Sequence, residues 1–156
     1  MLRRLLLATA TVIVPAALIA VPGGVAAGAA TRTCPGVIKI DRFAFNPPQV
    51  TPGQGSTSTV VATNCTRHSL QASAQWRATW LGPSGPSVPP GCPVIDPVAL
   101  PANFTPHGTS SFPFGWTTFP SCTATGLQVT VTFQGSSGAL AQATATLTIV
   151  QPAAGG

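Results

Sequence analysis

Few side chains in this 156-residue chain could do chemistry: four cysteines, two histidines, two acidic residues and three tryptophans. Paired carboxylates for glycoside hydrolysis would have to be Asp41 and Asp96. Asp41 stands beside Arg42 where a strand pattern changes phase. Asp96 sits in Ile95-Asp96-Pro97, where aspartate initiates a turn. A serine nucleophile needs a histidine and an orienting acid, and the chain has no Gly-x-Ser-x-Gly elbow. His68 and His107 belong to different loops and lack the helical spacing of a metal-ligand pair. A mononuclear copper site needs a thiolate and a second imidazole, commonly with a weak axial methionine. The only methionine is Met1, and no histidine follows Cys122. These residues imply no enzyme, no catalytic set, no metal and no cofactor.

The cysteines are the exception, because the start of the chain tells where they reside. Arg3 and Arg4 precede an apolar run over 5–21, and Ala27-Gly28-Ala29 offers a small-residue cleavage signal. That order of charged, apolar and small segments is a secretory signal peptide, removed on export. The expected organisation is therefore 1–30 signal peptide and 31–156 one β-domain. In an oxidising compartment Cys34, Cys65, Cys92 and Cys122 pair as two disulfides. The formal charge falls from +5 to +3 once Arg3 and Arg4 are gone. The five remaining cations form no cluster, which excludes nucleic acid as the obvious partner. No later apolar stretch is long enough to span a bilayer as a helix. The expectation is a monomer, extracellular or loosely held at the cell envelope, whose partner is an extracellular protein or glycan.

The elements that must position these residues are strands. Over 70–80 the even positions are Leu70, Ala72, Ala74, Trp76, Ala78 and Trp80, against Gln71, Ser73, Gln75, Arg77 and Thr79. A period of two gives one apolar and one polar face. Leu127, Val129, Val131 and Phe133 alternate with Gln128, Thr130, Thr132 and Gln134. Ala139, Ala141, Ala143, Ala145, Leu147 and Ile149 form a third such face, joined to the second by the hairpin sequence Gly135-Ser136-Ser137-Gly138. Over 37–45 the apolar face shifts at Asp41-Arg42, as at a β-bulge. Pro47-Pro48 ends that strand, and Pro52-Gly53-Gln54-Gly55 turns into another over 56–64. Residues 81–93 form a Pro/Gly/Ser-rich loop. The proline-interrupted run 94–104 suits only a sheet edge, and 110–119 places Phe112, Phe114 and Trp116 on one face. The fold class is all-β: an antiparallel two-sheet immunoglobulin-like sandwich of about seven strands.

If consecutive strands run up and down, Cys34 and Cys65 fall at one end of the fold and Cys92 and Cys122 at the other. The pairing implied is Cys34–Cys65 with Cys92–Cys122. Each bond closes about 30 residues and adds roughly 3 kcal/mol.

Phe43-Ala44-Phe45-Asn46-Pro47-Pro48-Gln49-Val50-Thr51-Pro52-Gly53, followed by Thr59-Val60-Val61-Ala62-Thr63-Asn64, resembles the opening of bacterial immunoglobulin-like adhesion modules. The shared feature is a Pro-x-x-Val-x-Pro-Gly turn feeding a strand that ends in asparagine. The whole chain also looks like small secreted two-disulfide actinobacterial proteins. The resemblance implies a sandwich used outside the cell for binding or wall architecture, and it carries over no site residue. The same stretch is similar to cupredoxins, with His68 four residues after Asn64, but the remaining copper ligands are missing.

Two other binding roles compete with a general extracellular binding or structural module. The run 106–116 is similar to the Gly-Ser-Phe-Gly-Phe stretch of cellulose-binding modules, whose exposed rings stack on sugars. The strand pattern puts Trp76, Trp80 and Trp116 on apolar faces. Among rings near loops, Trp80, Trp116 and Phe119 are the candidate binding residues for an insoluble polysaccharide. Gln75-Trp76-Arg77 resembles the Trp-Arg of proteinaceous amylase inhibitors, and residues 82–91 could present a stiff segment to a secreted hydrolase.

Overall fold

The computed structural model describes residues 34–82 and 88–152. The predicted signal peptide, 1–30, and residues 83–87 of the proline-rich loop lie outside the described residues. Every regular element described is a strand: β1 (Ile38–Asn46), β2 (Gln49–Val50), β3 (Gly55–Asn64), β4 (Leu70–Leu81), β5 (Val98–Phe104), β6 (Thr109–Thr117), β7 (Gly126–Gly135) and β8 (Gly138–Ile149). They form a three-stranded sheet, β1-β3-β6, and a five-stranded sheet, β2-β8-β7-β4-β5.

The two sheets share one core. Trp76 of β4 lies 5.8 Å edge-on from Phe43 of β1 and 5.3 Å, stacked, from Phe114 of β6. Phe112 of β6 meets Phe104 of β5 and Phe133 of β7 at 5.4 Å each. Leu127, Val129, Val131 and Phe133 are fully buried, and a buried apolar side chain of this size contributes about 1.5–3 kcal/mol. Ala62 on the smaller sheet and Ala74 and Ala102 on the larger one are also fully buried and leave room for the rings.

The register shift in β1 falls between Ile40 and Arg42. Three departures from the alternation pattern have local causes. An eighth strand, β2, is only two residues long and pairs parallel with β8, so the chain changes sheets between Pro47 and Thr51. Two residues flanked by prolines are too short to show a period. The inward face of β8 does not begin at Ala139, which is exposed. Ala139 pairs with Gln134 and Ala141 with Phe133, so Leu140 is a bulged extra residue packed on the core instead. The proline-interrupted strand starts at Val98 rather than residue 94, and it is an edge strand with Pro101 opposite Ser73.

The disulfides are Cys34–Cys65 and Cys92–Cys122. The first staples the chain ahead of β1 to the end of β3. The second joins the loops after β4 and β6, reinforced by Thr123 N–H donating to the Pro90 carbonyl at 3.0 Å. Their close approach requires glycine at residue 91, where φ is +72° and a Cβ would run into the Ser121 carbonyl oxygen.

Candidate binding surface

The three candidate rings do not assemble into a platform. Trp80 is only 6% exposed, and its indole N–H donates to the Pro93 carbonyl at 2.7 Å. Trp116 is 9% exposed and donates to the Ser58 hydroxyl at 2.8 Å inside the core. Phe119 alone is open, at 49%, in the loop after β6. Trp80 and Trp116 sit on inward faces of different sheets, so their polar edges are used internally and their faces are packed. Trp76, the centre of the Gln75-Trp76-Arg77 triplet, is buried as well.

Of the titratable residues, the Lys39–Asp41 pair is likewise tied into the frame. Asp41, at the β1 bulge, lies 3.0 Å from the Lys39 ammonium and accepts from the Thr63 hydroxyl at 2.5 Å. Thr63 in turn meets Thr109 at 2.8 Å, which links all three strands of the smaller sheet. His68 and His107 are exposed in two loops held together by Asn64. Asp96 is exposed ahead of β5. No group of three or more His, Cys, Asp or Glu side chains converges among the described residues.

Residue-type reasoning overlooked several buried polar side chains. Asn64 is fully buried and donates to the His68 and Thr105 carbonyls at 2.8 and 2.9 Å. Its carbonyl oxygen accepts from the Thr66 N–H at 2.9 Å and from the Thr66 hydroxyl at 2.8 Å. Thr118 joins the turn before β3 to the loop after β6: it accepts from Gly53 N–H at 2.9 Å and donates to the Gln54 carbonyl at 2.8 Å. Ser56, Ser58 and Asn64 share the inward parity of Val60 and Ala62. A polar residue on an apolar face was the signal that each must have an internal partner.

What the fold presents outward is a polar grid on the larger sheet. Three rows cross β4, β7 and β8 in register: Gln75–Thr132–Gln142, Arg77–Thr130–Thr144 and Thr79–Gln128–Thr146. The residues between them on β4 and β7, Trp76, Val129 and Val131, point into the core. Strand geometry sets the grid at about 4.8 Å between strands and about 7 Å along them. The Thr130 and Thr144 hydroxyls lie 3.0 Å apart. The face therefore carries amide and hydroxyl groups in fixed positions with one cation, Arg77. Such a face can make many hydrogen bonds to a matching surface and offers no nucleophile–base pair.

No protein-family model matches the sequence, and no curated protein matches it. Among solved structures, the chain is similar to part of a cycloisomaltooligosaccharide glucanotransferase from Paenibacillus sp., complexed with cycloisomaltoheptaose. The TM-score is 0.54 at 17% identity, over 73% of this chain and 14% of that one. It is also similar to part of an alkylpurine DNA glycosylase from Pseudomonas fluorescens bound to DNA containing an abasic site analog. Here the TM-score is 0.53 at 7% identity, over 73% of this chain and 30% of that one. Both likenesses are of fold, and the chain spans less than a third of either protein.

Proposed function

We propose that the chain is a secreted, non-enzymatic immunoglobulin-like β-sandwich that works by contact, as an extracellular or envelope-associated binding module. The polar grid on β4, β7 and β8 carries this reading. Nine side chains in three registered rows form a surface suited to hydrogen-bonding a partner, while the aromatic rings serve the core. The strand order supports the immunoglobulin-like assignment. β1-β3-β6 corresponds to the A, B and E strands, and β8-β7-β4 to G, F and C, with β2 crossing between sheets. Two disulfides support an oxidising location.

The test is depletion of the oxidised protein from solution by bacterial cell wall, cellulose, chitin and starch. Retention on cell wall, reduced at least tenfold by Arg77→Glu together with Thr130→Glu, is the expected result. Retention on cellulose, chitin or starch, displaced by the matching soluble oligosaccharide, would overturn it in favour of a carbohydrate-binding module. Absence of retention on cell wall would remove the envelope role.

A further inference from the structure

The outer face of the smaller sheet has a hollow of its own. On β1 the outward residues Arg42, Ala44 and Asn46 stand opposite Val61, Thr59 and Thr57 of β3. Alternate residues of a strand share a face about 7 Å apart, so a short side chain between two long ones leaves space above it. Ala44 is that short residue. The hollow has a volume of about 200 Å³ and is lined by Arg42, Ala44, Phe45, Asn46, Thr59 and Val61. Ala44 and Val61 give it apolar surface. Arg42, Asn46 and Thr59 bring a guanidinium, an amide and a hydroxyl.

The hollow carries a positive charge that the fold does not match. The chain has two acidic residues, Asp41 and Asp96. Asp96 lies ahead of β5, in the other sheet. Asp41, at the β1 bulge, holds the Lys39 ammonium at 3.0 Å and accepts from the Thr63 hydroxyl. Arg42 is exposed and forms no ion pair among the described residues. No hydrogen bond joins the Asn46 or Thr59 side chain to another described residue. The three polar groups around the hollow therefore stand open to a ligand. They offer one positive charge, donors from the guanidinium and the amide, and a hydroxyl that can donate or accept.

We infer that this hollow binds a small aliphatic monocarboxylate, with its carboxylate against Arg42 and its short apolar group on Ala44 and Val61. The fork of a guanidinium matches the two oxygens of a carboxylate. The charge count selects a monoanion, because a phosphate group brings more than one charge at neutral pH and a single arginine leaves the excess unmet. At about 30 Å³ per water-sized group, the hollow has room for about seven such groups. That is the size of the terminal alanine of a peptide, with its carboxylate, Cα, methyl and amide. The hollow lies on the sheet that does not carry the polar grid. The inference therefore goes beyond the binding reading above and stands whether or not the grid binds envelope material.

Titration of the oxidised, isotope-labelled protein with N-acetyl-alanine, followed by amide chemical shifts, tests it. The expected result is saturable shifts at Arg42, Ala44, Asn46 and Thr59 with a millimolar Kd, and none at Thr130 or Thr144 of the grid. Propionate, run beside it, distinguishes a free acid from a peptide end by which of the two binds more tightly. Inorganic phosphate and the uncharged N-acetyl-alanine amide should give no saturable shift. Arg42→Gln keeps a polar side chain without the charge and should weaken binding about tenfold or more. Ala44→Leu fills the hollow, leaves Arg42 in place and should abolish binding. Arg42 is exposed and Ala44 half-buried on the outer face, so both variants should keep the wild-type circular dichroism spectrum and melt within about 3 °C of it. Absence of saturable shifts with N-acetyl-alanine and propionate alike would overturn the inference. So would variants that bind as well as wild type, or phosphate that binds as tightly as the carboxylates.

Discussion

Asn64 gives the sharpest test of how the end of the fold bearing both histidines is held. Its side chain makes four hydrogen bonds from a fully buried position, each with a net value of about 1 kcal/mol. Truncation does not cost all four. The Thr66 hydroxyl, freed from Asn64, lies 3.0 Å from the His68 carbonyl and can donate to it, and the Thr105 carbonyl keeps the Gly108 N–H at 3.0 Å. The Thr66 N–H loses its acceptor. Asn64→Ala should therefore cost about 3 kcal/mol. Asn64→Asp has nearly the same shape but turns a carboxylate oxygen toward two carbonyls. Burial and those carbonyls both disfavour the charge, so the introduced carboxyl would titrate above the ordinary value of about 3.9 when folded. A folded-state pKa raised above the unfolded one gives a contribution present below about pH 4. It is lost as pH rises through the folded value. The variant should lie closer to wild type at pH 3 than at pH 7. Urea unfolding of the oxidised proteins, followed by tryptophan emission at both pH values, measures the double difference. An Asn64→Ala cost under about 1 kcal/mol, or an Asn64→Asp variant as stable as wild type at pH 7, would refute the reasoning.

Other substitutions follow from single contacts. Trp116→Phe removes the indole donor to Ser58 and should destabilise by about 2–3 kcal/mol. Trp76 is more deeply buried, yet its indole N–H has no hydrogen-bond partner among the described residues. Trp76→Phe therefore sheds an unmet donor and should cost about 1 kcal/mol less than Trp116→Phe in the same urea titration; the reverse order would count against the assigned partners. Gly91→Ala should lower stability by at least about 2 kcal/mol, since the methyl meets the Ser121 carbonyl. Gly138→Ala, at φ +126° with nothing within 4 Å, should cost less, and equal melting temperatures for the two would disprove the crowding argument.

The alternation that builds β4 and β7 was plain in the sequence because each strand is long and buries one face. Inward Leu127, Val129, Val131 and Phe133 leave no second reading of the period. The β1 bulge was legible for the same reason, as a phase slip between Ile40 and Phe43. The bulge at Leu140 was not, because alanines on both sides of it fit either face and give no phase. β2 was invisible since its pairing is parallel and tertiary. The candidate surface was harder still. Aromatic residues suggest sugar platforms by type, but Trp80 and Trp116 use their polar edges on Pro93 and Ser58. The grid consists of the polar residues that alternate with the core ones along each strand, and only the cross-strand register brings Arg77, Thr130 and Thr144 into one row.

The edges and the grid bear on one another. The sheet that carries the grid has two edges, and Pro101 closes one of them to pairing. The other edge, β8, carries the third column of the grid. Mixed charges on that column would have guarded the edge at the cost of interrupting the uncharged rows. Threonine keeps the rows uniform and uncharged and has high strand propensity. Lysine in place of Thr144 would place a second cation in the middle row beside Arg77 and Thr130. Loss of cell-wall retention in that variant would show that the middle row binds through uncharged groups, and retention at the wild-type level would take Thr144 out of the binding face.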